Sequence, residues 1–113
     1  MPIAYHPEGR RTMSELTREE VDQTPGAVLL EFGAPWCPHC QAIQTDLANM
    51  LAKYPEIQHI SVEDGKGKPL GRSFRVKLWP TLVFLRDSAV VNQLVRPSSE
   101  EINKGFAGLI PGR

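Results

Sequence analysis

A chain of 113 residues with 41% hydrophobic and 23% charged side chains can bury one apolar core without disulfide or metal staples, so a single globular domain is expected. Its 13 basic and 13 acidic residues cancel, which excludes the electrostatic footprint of a nucleic-acid or anionic-membrane binder. The two cysteines, three positions apart, are too few and too close for a secreted disulfide framework and read as a site.

Residues 1–12 carry Pro2, Pro7, Gly9, Arg10 and Arg11 without hydrophobic periodicity and read as a mobile tail, which leaves 13–113 as the domain. The Arg10-Arg11 pair is followed by polar residues and not by the apolar stretch of an export signal. No run approaches the ~18 apolar residues of a membrane span. The expected location is therefore cytoplasmic, with no membrane partner. Ser14 is a candidate N-cap for a short helix reaching Gln23, and Thr24-Pro25-Gly26 turns the chain. Residues 27–32 form a nearly continuous apolar run, the pattern of a strand buried on both faces.

After a loop over 33–36, Ile43, Leu47, Met50, Leu51 and Tyr54 recur at helical spacing, which predicts one helix over 37–54 stopped by Pro55. Residues 57–62 alternate as a second strand. A charged Gly- and Lys-rich stretch then leads to a short helix around Leu70, Phe74 and Val76. A third strand over 81–85, opened by Pro80, is joined by Arg86-Asp87-Ser88 to a fourth over 89–95, compatible with a hairpin. Ser98 and Glu101 stand at capping-box positions of a last helix whose buried stripe is Ile102, Phe106 and Leu109. This order predicts an α/β fold: a mixed sheet of about four strands, with room for a fifth short one, covered by helices on both faces.

Trp36-Cys37-Pro38-His39-Cys40 lies where the buried strand hands over to a helix. At a helix N-terminus, unpaired N–H groups and a partial positive charge favour an anion, so Cys37 is placed to be a reactive thiolate. Cys40, one turn on, can close a disulfide with it and is more sheltered. Pro38 suits the first helical turn, where its missing N–H costs nothing. A zinc site is the competing reading, but a closed site needs four ligands and the remaining candidates are only His6, His39 and His59. A purely structural disulfide would close almost no loop and constrain little.

With these residues, the chain resembles thioredoxins from about Leu16 to Leu109. The resemblance is carried by Leu29-Leu30-Glu31-Phe32, by Ala34-Pro35-Trp36-Cys37-Pro38-His39-Cys40 and by Trp79-Pro80-Thr81-Leu82-Val83-Phe84. It implies a thioredoxin fold and a protein-disulfide oxidoreductase that needs no cofactor beyond its own redox-active disulfide. Cys37 would attack the substrate disulfide and Cys40 would resolve the mixed disulfide. Pro80 would be cis and would present the backbone of Trp79 to an extended substrate, with Trp36 beside it. Glu31 takes the place of the family's buried aspartate, the proton shuttle for Cys40. A carboxyl in an apolar strand is expected to titrate high, which suits that role, unless it points to solvent.

Several residues depart from the ordinary pattern. Pro38-His39 between the cysteines resembles the strongly oxidising periplasmic dithiol oxidases. His39 beside the thiolate would stabilise the reduced form and make the disulfide a better oxidant, unless it is merely solvated. Gly33 stands where a tryptophan is frequent. Thr45 replaces a helix-kinking proline, so a straighter helix is expected. Arg96-Pro97 replaces a glycine after the last strand, and His59 falls near the place of a lysine beside the buried carboxylate. Trp79 is bulkier than usual and is either a peptide platform or a lid over the disulfide.

The partners implied are protein substrates with disulfides or thiols and a reductase or glutathione-type electron donor, acting on a monomer. The alternative is a redox-switched protein-binding or chaperone-like module on the same fold. A soft-metal carrier is a third, weaker reading.

Overall fold

The computed structural model describes residues 16–112, together with the backbone of two short strands before them. The elements, in chain order, are β1 (Ala4–Tyr5), β2 (Arg11–Thr12), α1 (Arg18–Asp22), β3 (Ala27–Gly33), α2 (Pro38–Ala42), α3 (Gln44–Lys53), β4 (Gln58–Glu63), α4 (Pro69–Ser73), β5 (Thr81–Arg86), β6 (Ala89–Val95) and α5 (Ser99–Leu109). They build one sheet in the order β1-β2-β4-β3-β5-β6. β3 and β4 are parallel, β5 runs antiparallel to β3, and β6 completes the hairpin with β5. The four long strands are those the hydrophobic pattern indicates. β1 and β2 lie within the stretch read as a tail, and β2 pairs with β4 through Arg11↔Ile60 and Thr12↔Ser61. The rest of that stretch lies outside the described residues, and so does Ser14.

Strand alternation sends the side chains of β3 and β5 into two cores. Val28, Leu30, Phe32, Val83 and Leu85 pack with Val21 of α1 and with Leu70 and Phe74 of the α4 region. Leu29, Leu82 and Phe84 pack on the opposite face with Leu47 and Met50 of α3 and with Ile102, Phe106 and Leu109 of α5. Burial on both faces explains why β3 reads as a continuous apolar run. The cap of α1 is Thr17 and not Ser14: Thr17 Oγ1 accepts from the Glu20 N–H, and the Glu20 carboxylate accepts from the Thr17 N–H. The same device at Ser98 and Glu101 starts α5, as the sequence indicates. Asp87 and Ser88 turn the β5–β6 hairpin with φ of 49° and 66°, and Asp87 bonds back to Gly26 at the start of β3.

The expected single straight helix over 37–54 is two helices. The break is at Ile43, although no proline stands at 45. The cause is local. The Gln44 side-chain amide donates to the Cys40 carbonyl at 2.9 Å, inserting into the backbone ladder where α2 gives way to α3.

Candidate active site

Cys37 is the N-cap of α2. Its Sγ accepts a hydrogen bond from the Cys40 N–H at 3.2 Å, and Pro38 follows in the first turn. Both cysteines are thiols, and both are 5% exposed. Cys37 is thus covered as fully as Cys40, which the sequence suggested would be the more sheltered of the two. Trp79 packs against Ala34, Cys37 and Cys40, and Trp36, 68% exposed, meets the Trp79 ring edge-on at 5.4 Å between centroids.

The two thiols differ in acidity. Burial pushes the Cys37 thiol up, but hydrogen bonds from the Cys40 side chain and from the Cys40 and His39 N–H groups outweigh it. With the positive charge of Arg96, they hold Cys37 below its ordinary 9.0. Burial, the hydrogen bond Cys40 makes to Cys37, and the negative charges of Cys37 and Glu31 push Cys40 up to about 12. The first proton to leave the dithiol therefore comes from Cys37, and Cys40 keeps its own proton beside the thiolate. The His39 side chain is exposed, and its contribution at Cys37 is made through the backbone N–H.

Glu31 is buried on β3, 6% exposed, and does not face solvent. It accepts from Gln44 Nε2 at 2.6 Å and from Ser61 Oγ at 3.2 Å, and its Oε1 lies 2.7 Å from His59 Nε2. Gln44 therefore touches both the carboxylate and the Cys40 carbonyl. The carboxyl is therefore surrounded by polar side chains and is not bare in an apolar strand as the sequence suggested. His59 is also buried, and its Nδ1 meets no hydrogen-bond partner among the described residues.

A cleft of about 230 Å³ opens beside this cluster, lined by Glu31, Gly33, Cys40, Gln44, Ser61 and Glu63 among others. Gly33 packs closely there: a Cβ at this position would fall 2.5 Å from Cys40 Sγ, so one of the two would have to shift. Among the described residues, no group of three or more His, Cys, Asp or Glu is placed to hold a metal ion.

The peptide between Trp79 and Pro80 is cis, at the start of β5. Trp79 is held at several points. Its Nε1 donates to Asp64 Oδ2 at 2.9 Å, and its carbonyl accepts from Arg96 Nε at 2.8 Å. Asp64 reaches the indole because Gly71 leaves room; a Cβ there would fall 2.2 Å from its carboxylate.

The structure thus brings Cys37, Cys40, Trp36, Trp79 and Pro80 to one surface, with Glu31 beneath Cys40. Sequence reasoning missed Gln44, Ser61, Asp64 and the charge of Arg96. Gln44 lies four residues after Cys40, on the same helical face, a spacing that could have revealed it.

Comparison with known proteins agrees with this geometry. The Thioredoxin family model matches residues 11–107. The chain belongs to the thioredoxin family. Thioredoxin 2 from Pseudomonas aeruginosa PAO1, solved in its reduced form, is 50% identical over 88% of this chain and 94% of that one, with a TM-score of 0.77. Thioredoxin H5 of Oryza sativa subsp. japonica is 30% identical, covering 82% of this chain and 69% of its own length. Mitochondrial thioredoxin 3 of Saccharomyces cerevisiae, in oxidised form, shares the fold at a TM-score of 0.77 with 19% identity, over 87% of this chain and 93% of that one.

As a member of this family with a dithiol in place, the protein is a thiol–disulfide oxidoreductase. The family works through a redox-active disulfide of its own. No helix among the described residues is long and apolar enough to cross a membrane.

Proposed function

We propose that this protein exchanges disulfides with protein substrates through Cys37 and Cys40 alone, without a further cofactor, Cys37 attacking and Cys40 resolving. The observation that carries the division of labour is the opposite displacement of the two thiols, Cys37 below 9.0 and Cys40 up to about 12. The Cys37 thiolate displaces one sulfur of a substrate disulfide, forming a mixed disulfide and releasing a substrate thiolate. Cys40 then gives up its proton and attacks Cys37 Sγ. The protein disulfide closes and the second substrate thiolate leaves.

Glu31 is the group placed to take the Cys40 proton, and the cleft beside it offers a way out to water. His59, Ser61 and Gln44 orient the carboxylate. Trp36, Trp79 and Pro80 form the substrate surface, with Pro38 and His39 tuning the thiolate. Reduction of the closed disulfide by a reductase or a glutathione-type donor completes the cycle. The site of action is the cytoplasm and the working form a monomer.

The test is covalent trapping. Cys40→Ser should accumulate mixed disulfides with substrate proteins, and Cys37→Ser should neither trap substrates nor reduce insulin. Accumulation of mixed disulfides by Cys37→Ser would reverse the assignment.

A further inference from the structure

The residue after the last strand is an arginine whose place in the site the exchange mechanism does not explain. Arg96 follows β6 with φ of 47°, a left-handed backbone that favours glycine, and its own N–H donates to the Pro80 carbonyl at 2.9 Å. Its Nε donates to the Trp79 carbonyl at 2.8 Å. The guanidinium is therefore tethered to the peptide that borders the dithiol, close enough for its charge to act on Cys37.

The side chain is exposed, and no carboxylate pairs with it among the described residues. Since Nε carries the tether, the remaining donors of the guanidinium fork are left for a ligand. Around it the surface is apolar: Trp36 is 68% exposed, Leu78 48% and Val95 52%. An apolar surface beside a nucleophile, with one fixed unpaired cation, fits a peptide that carries a carboxylate.

We propose that Arg96 is a specificity-determining residue that selects protein substrates with an aspartate or glutamate next to the half-cystine attacked by Cys37. It holds the acidic side chain by an exposed, charge-assisted pair while the apolar neighbours of the cystine lie against Trp36, Leu78 and Val95. The inference rests on the exchange reading above. In each turnover, the reduced protein and a peptide disulfide become the protein disulfide and a peptide dithiol, two electrons and two protons passing to the peptide.

The experiment uses three cyclic disulfide peptides, identical except for Asp, Asn or Lys beside one half-cystine. Each is reduced by the reduced protein in a single turnover at low salt, with acid-quenched products counted. Wild type should reduce the Asp peptide about threefold faster than the Asn peptide and about tenfold faster than the Lys peptide, the scale of an exposed ion pair and its reversal. The spread should shrink in high salt. Arg96→Gly, which suits the backbone at this position, should bring the three rates together, and Arg96→Glu should invert their order. Lys77→Ala removes an exposed charge two residues before Trp79 and should keep the wild-type order.

Equal wild-type rates on the three peptides, or a preference that survives Arg96→Gly or disappears in Lys77→Ala, would overturn the assignment to Arg96. Failure of wild type to reduce even the Asn peptide would overturn the exchange reading itself, and this inference with it.

Discussion

The dithiol has two sides, and they are built from different materials. Cys37 faces outward under aromatic rings: Trp79 covers it, Trp36 meets Trp79 edge-on, and Arg96 supplies positive charge from the rim. Cys40 faces inward toward a buried polar cluster in which Glu31 collects Gln44, Ser61 and His59. Hydrogen bonds from Cys40 and from the first turn of α2, with the outer cation Arg96, lower one thiol. Burial and negative charge on the inner side raise the other. The difference shows how one short motif carries two chemistries, a ready nucleophile toward substrate and a held proton toward the core.

Removing the inner carboxylate is the strongest way to break that division. Glu31→Gln should slow resolution of a preformed mixed disulfide by about 100-fold, the usual scale of a lost acid–base group, while attack by Cys37 stays near the wild-type rate. Rapid-quench counting of mixed disulfide and product separates the steps. Equal slowing of both would remove Glu31 from the resolving half.

Gly33→Ala tests the packing of the inner side. The added Cβ would fall 2.5 Å from Cys40 Sγ, so the sulfur or strand β3 must move. A loss of about 1–3 kcal/mol in urea unfolding of the reduced protein is expected. An unchanged midpoint would show that Cys40 has another place to go.

The pH dependence of stability sharpens the contrast. Cys40 is raised in the folded state from 9.0 to about 12, so its contribution is full below about 9 and is lost as pH rises toward about 12. Cys37 is lowered, so its contribution is present above 9.0 and is lost as pH falls through its folded value. The oxidised protein has neither group and serves as the control for every other titration. Around pH 9 the two contributions oppose each other, so the melting temperatures of the two forms should draw apart as pH rises from about 9 toward about 12, where only the Cys40 contribution is still being lost and the reduced form loses ground. Parallel curves would show that Cys40 titrates as it does in the unfolded chain.

The smallest effect belongs to the tuning of Cys37. Each unit by which its thiolate is favoured below the ambient pH moves the couple by at most roughly 30 mV. The potential should be less reducing than that of ordinary thioredoxins when equilibrated with glutathione. A value at or below theirs would remove the tuning assigned to Pro38-His39.

Much of this was legible from residue order. The apolar runs over β3 and β5 and the stripe of Ile102, Phe106 and Leu109 placed sheet and helix because burial imposes periods that a one-dimensional reading can detect. The capping box of Ser98 and Glu101 was equally plain, being a contact within one turn. The thiol pair was visible because its spacing is the spacing of the reaction.

What only the tertiary structure decided comes from residues distant in the chain. Glu31 was recognisable, but its partners come from α3 and β4, so the sequence suggested a bare carboxyl where the fold builds a hydrogen-bonded one. Gln44, whose amide meets the Cys40 carbonyl beside the break at Ile43, also donates to Glu31, a contact that exists only once β3 lies beside the helix. Cys37 is covered because Asp64 and Arg96 fasten Trp79 beside it. The reaction class and the donors to Cys37 were thus written in neighbouring residues, whereas the burial of both thiols and the charges of Arg96 and Glu31 that act on them arrive only once the sheet has formed.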